Sequence, residues 1–210
     1  MKLKLFLIIL CFLPSLCFAK INSVTVIGSD ENSFNNTFHK NVTQLANSLV
    51  NQKKFIYCNY SGQGLSGTFL KTIYKRNADF KAIGYSDMLN SNCPEKHICN
   101  EIEETLFSNV NEQITYLLSK GDGVVFLSGG FDVMYAFNYL QTLINNQKFP
   151  DKPVVFLNTN HYWDRLREML IEMQRQNVIP QTTLDRIAFE NKPENVVKTL
   201  EKIERKIIKK

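Results

Sequence analysis

Long apolar stretches, histidine and any large excess of charge are lacking in this chain of 210 residues, and each absence closes off a class of protein. A membrane-crossing helix needs roughly 20 apolar residues, and the run Leu5 to Leu13 stops well short of that at Pro14 and Ser15. The three histidines, His39, His97 and His161, lie far apart, so no metal site is expected. The net charge of +5 is mild. Basic residues are spread out except in Lys198–Lys210, where Glu201 and Glu204 interleave with Lys202, Arg205 and Lys206 as on a solvated terminal helix. Neither nucleic acid nor a membrane is therefore expected as a partner. Repeats and low-complexity linkers are absent too, which leaves one domain.

The first residues have the three parts of a secretory signal. Lys2 and Lys4 form the basic start, Leu5–Leu13 the apolar centre, and Cys17-Phe18-Ala19 the small-residue cleavage site. The expected organisation is a signal peptide over 1–19, cut after Ala19, and one domain over 20–210, secreted or periplasmic. Of the five cysteines, Cys11 and Cys17 leave with the signal. Cys93 and Cys99 bracket a short polar loop that an oxidising compartment would close as a disulfide; free thiols or a site using His97 are the alternatives.

Short β-branched runs alternate with segments of helical period. Strands are expected at Ser23–Gly28, Lys54–Cys58, Phe80–Gly84, Gly123–Leu127, Pro153–Leu157 and Ile187–Phe189. Helices are expected at Phe38–Leu49, Thr68–Tyr74, Asn111–Ser119, Val133–Asn145, Trp163–Gln176 and Pro193–Ile208, with Ser86–Ser108 irregular. The alternation implies an α/β fold, a Rossmann-like parallel sheet with helices on both faces in a single domain.

In such sheets ligands sit at the carboxyl ends of strands, beside helix N-termini. Three turns qualify: Gly28-Ser29-Asp30, the Gly62–Gly67 loop, and Ser128-Gly129-Gly130-Phe131-Asp132. Glycine there lets backbone amides approach a phosphate, so Gly28, Ser29, Gly62, Gly64, Gly67, Ser128, Gly129, Gly130 and Phe131 are candidate ligand contacts. The second turn reads G-x-G-x-x-G, with Asp87 where a ribose-binding acid of a dinucleotide site would fall. The motif follows the second strand, however, and no second domain remains to hold a substrate, so no cofactor is expected.

Several stretches together carry a family resemblance: Gly64-Leu-Ser-Gly67, Gly123-Val-Val-Phe-Leu-Ser-Gly-Gly130, Lys152-Pro-Val-Val-Phe-Leu-Asn158, His161-Tyr-Trp163, Gln176-Asn-Val-Ile179 and Pro193-Glu-Asn-Val-Val197. In these the chain resembles the Lonely-guy (LOG) family, once called lysine-decarboxylase-like, over nearly all of residues 20–210. The resemblance implies a Rossmann-like fold, pairing as homodimers, and hydrolysis of the N-glycosidic bond of nucleoside 5′-monophosphates to a base and ribose 5-phosphate.

The chain departs from the family where the chemistry resides. The family loop reads P-G-G-x-G-T-x-x-E, with M-H-x-R-K upstream. Gly129 and Gly130 match the paired glycines, but Ser128 replaces the proline, Asp132 the next glycine, Val133 the threonine and Ala136 the glutamate. Upstream, Asn111, Gln113 and Ile114 fall on the histidine, arginine and lysine. A methyl group cannot stabilise the positive charge that develops on the sugar. An acid in an anion-binding turn repels phosphate by about 4 kcal/mol at 4 Å and an effective dielectric near 20, more than the roughly 1.5–3 kcal/mol of one charge-assisted hydrogen bond.

Three readings follow. The protein binds a nucleotide, nucleoside or related small ligand without hydrolysis. Alternatively, it is an N-glycosidase rebuilt around Asp132, one turn before Ala136, helped by Glu112 and Gln113. Or it is a dimeric interaction domain. The plainer role for Asp132 is a helix N-cap, and for Trp163 packing rather than stacking on a base. Asn41 and Asn59 stand in glycosylation sequons.

Overall fold

The computed structural model describes residues 21–84, 102–103, 107 and 109–209. The proposed signal segment, Asp87 and the Cys93–Cys99 pair lie outside them. Among the described residues seven strands form one parallel sheet: β1 Ser23–Ile27, β2 Phe55–Asn59, β3 Phe80–Ile83, β4 Ile102–Glu103, β5 Gly123–Phe126, β6 Val154–Leu157 and β7 Ile187–Glu190. Their order across the sheet is β4-β3-β2-β1-β5-β6-β7. Six of them fall where the alternating apolar pattern predicts. The seventh, β4, lies in the segment expected to be irregular and pairs with β3 through Ala82–Ile102 and Ile83–Glu103; two residues are too short to carry a periodic signal.

Val-Val-Phe runs in β5 and β6 are buried throughout, as strands covered on both faces must be. Their side chains alternate between two cores. Val26, Val125, Val155 and Leu157 point into one, and Val124, Phe126, Val154 and Phe156 into the other. Helices α1 Asn36–Asn51, α2 Gly64–Lys75 and α7 Val196–Ile208 cover the first; α3 Val110–Lys120, α4 Phe131–Asn145 and α5 Asp164–Arg175 cover the second. A short helix, α6 Gln181–Asp185, precedes β7. The basic C-terminal segment is more than a solvated helix: α7 buries Val196, Val197, Leu200 and Ile203 against the sheet, because its apolar positions keep a 3–4 spacing beneath the charges.

Four helices end alike and without glycine. After α1, α2, α4 and α5 the chain turns through left-handed Lys53, Asn77, Gln147 and Asn177, with φ of 52°, 48°, 56° and 58°. The next amide in each case closes back on the last helical turn, as in Lys54 N to Leu49 O at 3.1 Å and Val178 N to Met173 O at 2.8 Å. This is the Schellman arrangement.

Strand order decides where a ligand fits. From β1 the chain runs outward through β2, β3 and β4, then returns to place β5 on the other side of β1 and runs outward again. The loops leaving β1 and β5 thus diverge and open a crevice between them.

Candidate functional site

A cavity of about 150 Å³ occupies that crevice. Its polar walls are Asp30, Asn59, Tyr60, Gln113 and Asp132; its apolar walls are Ile27, Val110, Ile114, Leu117 and Ala136, with Gly28 at the base. Among the described residues that line it there is no lysine, arginine or histidine.

Asp30 follows the turn out of β1. Burial drives its pKa up from 3.8 to about 6; the Ser61 and Ser66 hydroxyls pull it down, while the charges of Asp132 and Glu31 add to the rise. Asn59, the last residue of β2, holds the same wall in place. Its Oδ1 accepts from Gly28 N at 3.3 Å, and its Nδ2 donates to Ser66 Oγ at 3.0 Å and to Asp30 Oδ1 at 3.4 Å. A sequon asparagine so engaged at the pocket wall is a poor glycan acceptor. Tyr60 is only 4 % exposed, its hydroxyl has no hydrogen-bond partner among the described residues, and burial raises its pKa. Buried polar groups without partners are rare.

The expected site residues divide into those the fold gathers and those it does not. Gly28, Gln113 and Asp132 line the cavity together with Ala136. Gln113 is buried and donates from Nε2 to Ile83 O at 2.7 Å, so its amide is anchored to the end of β3. Asp132 is not the helix cap: Gly130 caps α4, the helix begins at Phe131, and Asp132 is its second residue, still in the first turn. Its acid is therefore free to face the pocket while favouring the positive end of the helix. Glu112 is exposed on the far side of the α3 terminus. There Asn109 Oδ1 accepts from Glu112 N at 3.0 Å, and Asn109 Nδ2 donates to Glu112 Oε1 at 3.2 Å, a capping arrangement. Phe131 is 96 % exposed and outside the cavity, as are Ser128, Gly129 and Gly130, which form the turn above it.

The Gly62–Gly67 loop does something other than cradle phosphate. Helix α2 begins at Gly64 rather than Thr68, and its first amides are already taken. Leu65 N and Ser66 N donate to the Ser29 carbonyl at 3.0 and 3.1 Å, and Gly64 N donates to Asn32 Oδ1 at 3.0 Å. Gly64 has φ +63°, and a Cβ there would lie 2.6 Å from Ser29 O and 2.5 Å from the Asp30 carbonyl carbon. A Cβ on Gly67 would lie 2.7 Å from the Gly62 carbonyl carbon. The glycines serve close packing of the β1 turn on α2, with Ser29 plugging the helix end. That packing positions Asp30.

Tyr162 ties the other turn down: its hydroxyl donates to Gly129 O at 2.8 Å. Trp163 is buried, its ring centre 5.1 Å from that of Phe156, and packs in the core rather than at the pocket. His161 Nδ1 lies 3.0 Å from Asp164 at the surface. Cys58 is fully buried and its thiol is pushed up to about 12, so it is inert. Sequence reasoning missed Asp30 and Tyr60 as pocket groups, although the turn containing Asp30 was singled out; one acid after a strand looks like any turn residue.

A doubly wound parallel sheet with a lined crevice at its switch point defines a Rossmann-type protein with a small-ligand site. The chain belongs to the family described as "Possible lysine decarboxylase", whose model matches residues 68–200; this is the Lonely-guy-like family that the sequence resembles. No curated protein sequence matches the chain. Among solved structures it is similar to the molybdenum cofactor binding protein of Rippkaea orientalis, with a TM-score of 0.60, 16 % identity, and coverage of 89 % of this chain and 99 % of that one. The molybdenum cofactor carrier protein of Chlamydomonas reinhardtii aligns with a TM-score of 0.53 and 9 % identity over 90 % of this chain and 99 % of that one. DNA processing protein A from Helicobacter pylori aligns with a TM-score of 0.52 and 12 % identity over 87 % of this chain and 81 % of that one. At these identities the likeness is one of fold. The last of these is described by its single-stranded DNA binding mode.

Proposed function

We propose that this is an exported, dimeric member of the family that binds the base or nucleoside part of a nucleotide-like ligand in the β1–β5 crevice without the family's hydrolysis. The observation that carries the reading is the pair Ala136 and Gln113. Both line the cavity at the positions where the resemblance puts the family's glutamate and arginine. A methyl group and an anchored amide offer neither the carboxylate nor the cation that glycosidic cleavage of a nucleotide requires. The relatives described as molybdenum cofactor binding and carrier proteins support binding rather than turnover as a use of this fold. Asp30 and Asp132, with no cation beside them among the described lining residues, favour a neutral or cationic guest over a phosphate in the cavity. Export rests on the pattern of residues 1–19, and pairing on the family resemblance.

A second reading has its own observation: Asp132 faces the cavity one helical turn from Ala136, where a displaced carboxylate would serve an N-glycosidase. One experiment separates them. The mature protein is incubated with nucleosides and nucleoside 5′-monophosphates, and both free base and thermal shift are measured. A ligand at 100 times its dissociation constant adds about 2.7 kcal/mol of stability, so binding registers as a higher melting temperature. A shift without base release is the expected result. Base release abolished in Asp132→Asn would instead establish the second reading, and no shift with any ligand would leave a dimeric interaction domain.

A further inference from the structure

Resting on the small-ligand reading above, the chemistry of one pocket wall narrows the kind of guest. Three neighbouring groups form that wall. Asp30 is held through Asn59, whose amide spans Gly28 N, Ser66 Oγ and Asp30 Oδ1. Tyr60, next to Asn59 in the chain, also lines the cavity, and its hydroxyl is buried with no hydrogen-bond partner among the described residues. Val110, Ile114, Leu117 and Ala136 also line the cavity, an apolar surface suited to the face of a ring. A cavity near 150 Å³ is the size that accommodates a single benzene-like guest and is below the roughly 300–1,000 Å³ of sites that enclose whole drug-sized ligands. That volume has room for a single ring and not for an attached sugar as well.

We propose that this wall recognises a planar nitrogen heterocycle of the guanine type, whose two adjacent N–H donors point at the Asp30 carboxylate. An ionised carboxylate is acceptor-only and receives two parallel N–H bonds, the geometry of carboxylate–guanidinium pairs. Guanine offers N1–H and the 2-amino group side by side. Hypoxanthine keeps only the first, and adenine sets an amino donor beside a ring acceptor. An asparagine at position 30 would present the donor–acceptor pair that adenine matches.

Protonation sharpens the test. The charged and titratable groups around Asp30 are Asp132 from α4, Glu31 from its own turn and Tyr60 from the end of β2; the Ser61 and Ser66 hydroxyls are its polar partners. With the free carboxyl titrating near 6, guanosine binding is complete above that pH and declines as pH falls through it. One unit below, about one-tenth of the sites are ionised.

The experiment is calorimetric titration of the mature protein with guanosine, inosine and adenosine at about pH 7.5 and about pH 5, repeated with Asp30→Asn. The wild type is expected to bind guanosine about tenfold more tightly than inosine or adenosine and to lose about tenfold in guanosine affinity at the lower pH. In Asp30→Asn the guanosine preference should vanish, its pH dependence with it, and adenosine should become the better ligand. The wild-type comparison stands by itself if the variant is poorly behaved. Equal affinity for the three nucleosides, unchanged by pH or by the substitution, would overturn this inference and leave the small-ligand reading intact. Absence of binding by all three, together with no thermal shift for any nucleotide, overturns both.

Discussion

Asp30 is a carboxyl group whose ionisation the fold opposes. Its pKa rises from 3.8 to about 6 on burial, so between those values the folded state binds more protons than the unfolded one and stability increases as pH falls. Above about 6 the charged group is a net cost, which two pKa units place at about 2–3 kcal/mol. Asp30→Asn is therefore expected to be about 2 kcal/mol more stable than wild type near pH 7.5, the gap closing by about pH 4. Urea denaturation at the two pH values measures this, and a variant less stable at both would show that the carboxylate is favourably solvated. Such retained strain in a pocket group is what a site kept for binding shows. At this scale the sequence was partly legible. Ala136 and Gln113 reached the cavity through the family pattern, whereas Tyr60 carries no local signal: its burial arises only once the chain has folded around it. Asp132 was read as a cap because acids at helix starts usually are, yet Gly130 already occupies that position.

Helix ends show where the chain tolerates strain. Lys53, Gln147 and two asparagines sit at left-handed φ, a conformation that costs a residue with a Cβ roughly 1 kcal/mol relative to glycine. Gln147→Gly at the end of α4 is expected to stabilise the protein by about 1 kcal/mol, read as a higher urea midpoint at unchanged slope. A decrease would mean that the Gln147 side chain makes contacts worth more than the strain. Strands were the most legible elements, since Val-Val-Phe runs in β5 and β6 announce burial on both faces. The G-x-G-x-x-G segment misled for a physical reason. The motif reports only that backbone comes close, and here the close neighbour is the Ser29 carbonyl on Leu65 N and Ser66 N, not a phosphate. That donor–acceptor plug could not be foreseen without knowing that α2 starts at Gly64.

Across the whole molecule, the sheet order was not legible from periodicity, because each strand's pattern is silent about its neighbours; only the β–α alternation constrained it. The order places Phe156 at the centre of the second core, with ring centres of Phe126, Phe137, Phe189 and Trp163 all 5.0–5.1 Å away. Phe156→Ala should cost about 3–5 kcal/mol. Trp163, the only tryptophan, reports that loss by its fluorescence during denaturation, and a cost under about 1 kcal/mol would mean that the cluster relaxes to fill the void. The switch point has a mechanical corollary as well. Asp30 belongs to the first β–α unit and Asp132 to the segment that opens the second half of the sheet, a hundred positions later. A guest that reached both would act as a removable cross-link over that long chain interval, added to the β1–β5 pairing that already joins the two halves of the sheet.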